Sequence, residues 1–149
     1  MSNLVMLESL NLAGCEQLTK LPGGIIRNSN LMHLRNDQCR TLEGLPLPSG
    51  FGQWKKLETL SLLIVGDKHS GIAELEDLNL LTGELRIECW SNKNDLTTDA
   101  KRANIRNKRK LSSLTLSWSH GVHVHVVIPQ ASKHFLKFSC HLKTLKSLR

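Results

Sequence analysis

Leucines that recur at a fixed spacing constrain this chain more than any other feature of its sequence. The pattern L-x-x-L-x-L-x-x-C-x-x-L-x-x-L-P begins at Leu7 and returns, with one substitution, at Leu31. Equivalent leucines of five copies stand 24, 26, 25 and 29 residues apart: Leu10, Leu34, Leu60, Leu85 and Leu114. One such stripe could be the face of an amphipathic helix, but five copies in register indicate an internal repeat.

The spacing within each copy predicts a short extended segment, which we call a rung. Two leucines separated by one residue, such as Leu60 and Leu62, lie on one face of a strand, and the residues between them lie on the other. A single rung cannot bury its leucines, whereas stacked parallel rungs enclose a continuous aliphatic core. We therefore predict an α/β fold: a curved, solenoid-like parallel β-sheet of about five repeats with an irregular or helical convex side. Residues 1–118 form this domain, and residues 119–149 form a divergent basic tail without an assigned structure.

Two features of the first repeats allow more than one interpretation. Asn36 stands where a leucine is expected, which costs about 1–3 kcal/mol unless its amide finds partners, so we expect a local distortion there. Cys15 and Cys39 occupy the same position on neighbouring rungs. A disulfide or a metal pair is conceivable, but buried structural thiols are the favoured interpretation.

The composition argues against secretion and membrane insertion. The chain has 149 residues, of which 40% are hydrophobic, but no stretch reaches the roughly 18 to 20 apolar residues that a spanning helix needs. Glu8 interrupts the segment where a secretory signal would be apolar. The four cysteines include no C-x-x-C pair. We therefore expect a reducing, intracellular compartment, the cytoplasm or the nucleus, and no membrane partner.

The charge of the chain is divided unevenly along its length. Residues 1–99 carry 13 acidic and 9 basic side chains, a net charge of −4, while residues 100–149 carry 11 basic side chains and no acidic ones, a net charge of +11. Six cations fall within residues 101–110. They suggest an alternative function, a basic nucleic-acid-associated protein acting through residues 101–149. The favoured interpretation is a convex-side helix with a solvated basic face, because Thr98 and Asp99 suit its N-cap and Ala103, Ile105 and Leu111 suit its buried side.

The sequence contains no convincing catalytic or metal-binding motif. The best candidate metal ligands are five side chains of the tail: His120, His123, His125, Cys140 and His141. A zinc site would still need a complete tetrahedral ligand set, so we favour solvent-facing histidines on a strand. We predict no catalytic, cofactor-binding or metal-binding residue, and we expect that the chain is not an enzyme.

Several longer motifs resemble those of plant intracellular nucleotide-binding leucine-rich-repeat disease-resistance proteins. They include FGQWKKLETL at residues 51–60, GIAELEDLN at 71–79, GELRI at 83–87 and an A-x-x-A-N-I-x-x-K-x-x-L-x-x-L-x-L-x-W pattern at 100–118. The resemblance covers roughly residues 4–118. It implies a fragment or a truncated product, because the G-x-x-x-x-G-K-[ST] phosphate loop of that family is absent. It also implies that the chain recognises a pathogen effector or a guarded host protein and restrains a receptor's nucleotide-binding domain.

The repeat register predicts which residues would face such a partner. They are the strand residues that point away from the leucine core, on the concave face, and together they are polar and mixed in charge. Such a surface suits an extended protein partner better than a small molecule. The predicted partner-facing residues are Ser9, Asn11, Ala13, His33, Arg35, Asp37, Thr59, Ser61, Leu63, Glu84, Arg86, Glu88, Ser113, Thr115 and Ser117.

Overall fold

The computed structural model of the chain describes residues 6–39, 46–66, 71–90, 102–118 and 123–127. These residues contain seven strands: β1 (Ser9–Asn11), β2 (His33–Arg35), β3 (Thr59–Leu60), β4 (Leu62–Val65), β5 (Gly83–Cys89), β6 (Leu111–Trp118) and β7 (His123–Val127). Four short 3-10 helices lie between them: η1 (Gly23–Arg27), η2 (Phe51–Gln53), η3 (Ile72–Leu75) and η4 (Ile105–Asn107). Each of the five predicted rungs therefore carries a strand.

The strands form two parallel ladders, as expected for leucine-rich repeats. In the first ladder β1 pairs with β2 and β2 with β3, so that Leu10, Leu34 and Leu60 lie side by side. In the second ladder β4 pairs with β5 and β5 with β6, which places Leu85 beside Leu114. β7 then pairs with β6 in the antiparallel direction. The predicted parallel sheet is thus confirmed at the level of strand pairing.

The core is the predicted column of aliphatic side chains. Leu34, Leu60, Leu85 and Leu114 are all fully buried and belong to one hydrophobic cluster. Leu10, on the outermost strand of the first ladder, packs against this cluster but is only partly buried. The repeat leucines therefore share one environment, and burial at about 25 cal/mol per Å² of apolar surface is the main source of stability.

Asn36 joins the two ladders through its side chain. Its Nδ2 donates to the Leu62 carbonyl at 2.9 Å, and its Oδ1 accepts from the Leu62 N–H at 3.1 Å. Its backbone N–H donates to Ser61 Oγ at 2.9 Å. The amide thus imitates a peptide group of a neighbouring strand, which satisfies its polar atoms although Asn36 is buried. The interruption lies on the next rung, between β3 and β4 at Ser61, and not on the rung of Asn36, where the distortion was expected.

This interruption reverses which side chains point into the core. Leu63 pairs with Ile87 and Leu62 pairs with Arg86. Leu63 is fully buried within the core cluster, while Leu62, although buried, lies outside that cluster. The prediction that Leu62 points inward and Leu63 faces a partner is therefore wrong. The apolar run at 62–65 gave no alternation from which its inward face could be identified.

The side opposite to the strands is built from 3-10 turns in the described residues, and α-helix is scarce there. A continuous helix across the basic segment is not what the structure shows, because Asn104 has a positive φ of 53° and only Ile105–Asn107 follows as η4. Ala103 and Ile105 are buried, as predicted for the inner side. Leu111 is buried too, but it begins β6. A left-handed residue breaks the i to i+4 hydrogen bonding that a helix requires.

A buried residue that we call a corner residue follows each 3-10 helix, three positions before the first buried leucine that leads into the next rung. It comes directly after η1, η2 and η4, and three residues after the end of η3. The corner residues are Asn28, Trp54, Leu78 and Lys108. Each donates its backbone N–H to the carbonyl three residues earlier, those of Ile25, Phe51, Leu75 and Ile105. All four are essentially inaccessible to solvent. The repeat is therefore visible in the turns as well as in the strands.

Candidate functional site

The predicted partner-facing residues differ in how accessible the structure leaves them. The exposed ones are Ser9, Asn11, Arg35, Glu84 and Arg86. The half-buried ones are Ala13, His33, Asp37, Thr59, Ser61, Glu88, Thr115 and Ser117. Ser113 and Leu63 are buried, so they are not available to a partner, contrary to the prediction. Ser113 keeps the predicted register beside Glu84, so its exposure, and not its place in the strand, was wrong.

Polar contacts between rungs hold part of this face in place. His33 Nδ1 and Thr59 Oγ1 are 3.1 Å apart on neighbouring strands. Ser61 Oγ donates to Asn36 Oδ1 at 3.2 Å, so this serine supports the junction between the ladders. Arg35 Nε lies 3.7 Å from Asp37 Oδ1, a long contact between partly exposed charges that contributes little to stability. The face over β1–β3 is therefore polar and internally paired.

The face over β5 carries the largest exposed side chains. Glu84, Arg86, Glu88 and Trp90 alternate with buried Leu85, Ile87 and Cys89, and we call these four residues the β5 strip. Arg86 Nη1 is 3.9 Å from Glu88 Oε1, and Trp90 Nε1 donates to Glu88 Oε2 at 3.4 Å. Trp90 is 40% exposed although its backbone N–H is fixed on the Val65 carbonyl at 2.7 Å.

Trp90 is the residue of this face that sequence reasoning missed. The period of two that selects Glu84, Arg86 and Glu88 continues to Trp90, but the prediction ended the strand face at Glu88. An exposed tryptophan on the same face as an exposed arginine combines two residue types that are enriched in the energetic centres of protein interfaces. The β5 strip is therefore the best candidate for a binding surface.

Comparison with known families agrees with this geometry. The family model described as R13L1/DRL21 LRRs matches residues 72–149, which are more than half of the chain. The chain belongs to the R13L1/DRL21 family of leucine-rich repeats. No curated protein and no solved structure matches it. At a coarse level it is a protein-interaction module of a resistance-type protein. The match includes the tail at 119–149, which the resemblance in our sequence analysis had not covered.

Lys108 does not belong to the basic surface that the sequence suggested. It is 1% exposed, and its Nζ donates to the Leu75 carbonyl at 2.5 Å and the Leu78 carbonyl at 3.1 Å. Burial lowers the pKa of Lys108 from 10.5 to about 8, and the attraction of Asp77 opposes that shift only in part. The prediction that the cations of this segment form a solvated face is wrong at Lys108.

The other described cations of the segment do face solvent. Arg109 and Lys110 are exposed, and so is Arg102, whose Nη2 lies 4.0 Å from Glu76 Oε2. A contact of that length between two exposed groups contributes little to stability. The remaining basic patch is therefore smaller than the sequence implied.

The cysteines of the repeats differ in exposure. Cys39 is buried, as expected, but Cys15 is exposed, so its assignment as a buried thiol is wrong; Cys89 is buried as well. Burial raises the pKa of the Cys39 thiol, and burial also raises the pKa of Cys89 to about 11. Cys89 therefore stays protonated and unreactive at neutral pH.

The described residues contain no group of three His, Cys, Asp or Glu side chains placed to hold a metal ion. Of the suggested zinc ligands, His123 and His125 lie on β7, while His120, Cys140 and His141 lie outside the described residues. In the part of the chain that the structure describes, we find no helix of sufficient length and hydrophobicity to span a bilayer.

Proposed function

We propose that this chain is a non-catalytic recognition module that binds another protein through its exposed strand face, with the β5 strip at the centre of the contact. The observation that carries the proposal is the exposure of Arg86 and Trp90 on the same face, with Glu88 between them and in contact with both. Trp90 offers a large apolar surface with a fixed backbone, and Arg86 offers a guanidinium that is 57% exposed.

The contacts of the β5 strip explain why it would bind with little loss of entropy. Glu88 contacts both Arg86 and Trp90, so both side chains are partly ordered before a partner arrives. Each rotamer-rich side chain that is immobilised on binding costs about 0.5–1.5 kcal/mol, and ordering it beforehand reduces that cost. The ion pair itself is too long and too exposed to stabilise the fold appreciably.

The more detailed parts of the proposal come from the resemblance to nucleotide-binding leucine-rich-repeat receptors. On that basis the repeats continue as one curved solenoid, and its concave face recognises a pathogen effector or a guarded host protein. The same surface would restrain a receptor's nucleotide-binding domain in the cytoplasm or nucleus. The polar, mixed-charge face over β1–β3 is compatible with a protein partner.

The test compares two double variants that remove equivalent surface from different places. Arg86→Ala with Trp90→Ala removes the centre of the β5 strip. Leu80→Ala with Arg109→Ala removes an apolar side chain that is 39% exposed and an exposed arginine outside that strip. Each purified protein is incubated with plant leaf extract, and captured proteins are quantified by mass spectrometry and then titrated individually. We expect specific partners to lose about 30-fold or more in affinity for the first variant only.

Equal loss for both double variants, or no loss for either, would contradict the proposal. The same preparations are titrated with labelled DNA and RNA at several salt concentrations. Binding that weakens steeply with salt and disappears after substitution of Arg102, Arg109 and Lys110 by Ala would favour the nucleic-acid alternative. Lys108 is left unchanged in that variant because its substitution would disturb the buried corner.

A further inference from the structure

Cys15 and Cys39 occupy equivalent places on the first two rungs. They are 24 residues apart, which is the repeat length between these rungs. Each follows a residue with left-handed backbone, Gly14 with φ 75° and Gln38 with φ 58°. A non-glycine residue rarely adopts this conformation, so its recurrence at Gln38 shows that both rungs turn in the same way before the cysteine.

Hydrogen bonds keep the two turns side by side. The Gly14 N–H donates to the Asp37 carbonyl at 3.2 Å. The Leu12 carbonyl accepts from the Cys15 N–H at 3.0 Å and from Cys39 Sγ at 3.2 Å. Both cysteines thus contact the same oxygen atom. The Cys15 backbone N–H and the Cys15 thiol both act on the pKa of Cys39, in opposite directions, as expected for adjacent groups.

This arrangement is compatible with a disulfide. Equivalent residues of adjacent parallel strands lie about 4.7–4.9 Å apart, and the cysteines follow the paired residues Asn11 and Arg35 by four positions each, in turns that stay hydrogen-bonded to one another. The Cα separation of disulfides is usually about 4.4–6.8 Å, so bridging these cysteines needs only side-chain rotation and a small backbone adjustment. Both thiols are free in the structure, and Cys15 is exposed.

We propose that Cys15 and Cys39 are a redox-sensitive pair that forms a reversible disulfide when a peroxide oxidises the exposed thiol. The Cys15 thiolate attacks one oxygen of hydrogen peroxide, which breaks the O–O bond, gives a sulfenic acid at Cys15 and, after protonation, releases water. The Cys39 sulfur then attacks the Cys15 sulfur, loses its proton and expels a second water. The two thiols lose two electrons in total, and the peroxide accepts them.

The exposure of the two residues assigns their roles. Peroxide reaches Cys15 from solvent, whereas buried Cys39 acts as the resolving thiol. Cys89 is also buried but lies at the end of β5, away from the two turns that hold Cys15 and Cys39, so it serves as an internal control. The disulfide would join the first rung covalently to the second, where Leu10 and Leu12 are only partly buried.

The experiment uses the full chain with Cys140→Ser, which removes the cysteine outside the described residues as a competing partner. The folded protein is treated with hydrogen peroxide, then unfolded in urea and alkylated with iodoacetamide so that buried thiols also react, and digested with trypsin without reduction. We expect an intact mass about 2 Da lower and a cross-linked peptide pair that joins residues 1–20 to residues 36–40. Dithiothreitol should reverse both changes, and Cys89 should remain alkylated.

Two variants complete the test. Cys15→Ser changes an exposed residue and should abolish the cross-link while leaving thermal unfolding nearly unchanged; Cys39→Ser should also abolish it. Oxidation of Cys15 to sulfinic or sulfonic acid while Cys39 stays alkylated would overturn the proposal. A cross-link to Cys89, or equal yields of all pairings in folded and urea-unfolded protein, would overturn it as well.

Discussion

The corner residues Trp54 and Lys108 donate to equivalent backbone carbonyls through side chains of different chemistry. Trp54 Nε1 donates to the Ile25 carbonyl at 3.3 Å, and Lys108 Nζ donates to the Leu75 carbonyl at 2.5 Å. These two carbonyls occupy the same position in the preceding turn. The indole is neutral, whereas the lysine brings a charge into a buried site, and a buried charge is costly unless it is well paired. These two corners thus share a side-chain donor and not a residue type, whereas Leu78 fills its corner without a side-chain donor.

The largest effect should come from emptying the tryptophan corner. Trp54→Ala should lower the free energy of unfolding by about 3–5 kcal/mol, because it removes a fully buried ring that packs against Phe51, at a centroid distance of 6.4 Å. Urea denaturation followed by circular dichroism measures the change. Trp90→Ala, at an exposed site, is the matched control and should stay within about 0.5 kcal/mol. Similar losses for both would show that the Trp54 corner is not a packing centre.

The lysine corner should make stability depend on pH in a way that the tryptophan corner does not. The pKa of Lys108 is about 8 in the folded chain against 10.5 as its ordinary value. Between these values the unfolded chain binds more protons, so stability should rise with pH. Relative to Lys108→Met, the wild type should gain on the order of 3 kcal/mol from pH 8 to 10.5. Urea titrations of both proteins across this range measure it.

Taking the difference in unfolding free energy between the wild type and Lys108→Met cancels the contributions of the other titrating groups, because both proteins contain them. Cys89, with its raised pKa of about 11, should lower stability above pH 9, but it is present in both proteins. Below pH 8 the variant should lie within about 1 kcal/mol of the wild type, because losing the two hydrogen bonds offsets removal of a buried charge. A difference that stays constant with pH would show that the lysine is not buried as a charge.

The smallest effect should come from removing only the donor at the tryptophan corner. Trp54→Phe keeps an aromatic ring but cannot donate to the Ile25 carbonyl, which still accepts the Asn28 N–H at 3.0 Å. We expect a loss of about 1 kcal/mol from the hydrogen bond, with a further contribution from the smaller ring. The loss should be the same at pH 7 and pH 10. A pH-dependent loss would contradict the distinction between the two corners.

The strands were predictable because their signal is repeated. Leu34, Leu60, Leu85 and Leu114 recur at intervals close to one repeat, and stacking makes each leucine bury the next. Asn36 indicated a disturbance on its own rung, but the interruption lies on the next rung, at Ser61. The hydrogen bonds that satisfy the Asn36 side chain come from the Leu62 backbone, a tertiary contact that the sequence around this asparagine does not reveal.

The remaining errors have physical causes at particular residues. The corner position holds Asn, Trp, Leu and Lys, which share no chemical class, so periodicity of hydrophobic residues cannot reveal it. Lys108 was predicted to lie on the surface because lysine is seldom fully buried. Leu63 lies in a run of apolar residues in which either face could have been the inner one. For the candidate site, Arg86 and Glu88 were found by alternation, whereas Trp90 lay one step beyond the predicted strand end.

The antiparallel direction of β7 limits where further repeats can be added to the series of parallel strands. β6 uses one edge to pair with β5 and the other to pair with β7, which runs the opposite way. A newly duplicated unit therefore cannot join the series next to β6 unless β7 is displaced. Growth of the series by gene duplication would have to occur ahead of β1 or between existing units, so the two ends of the strand series differ in their capacity to evolve.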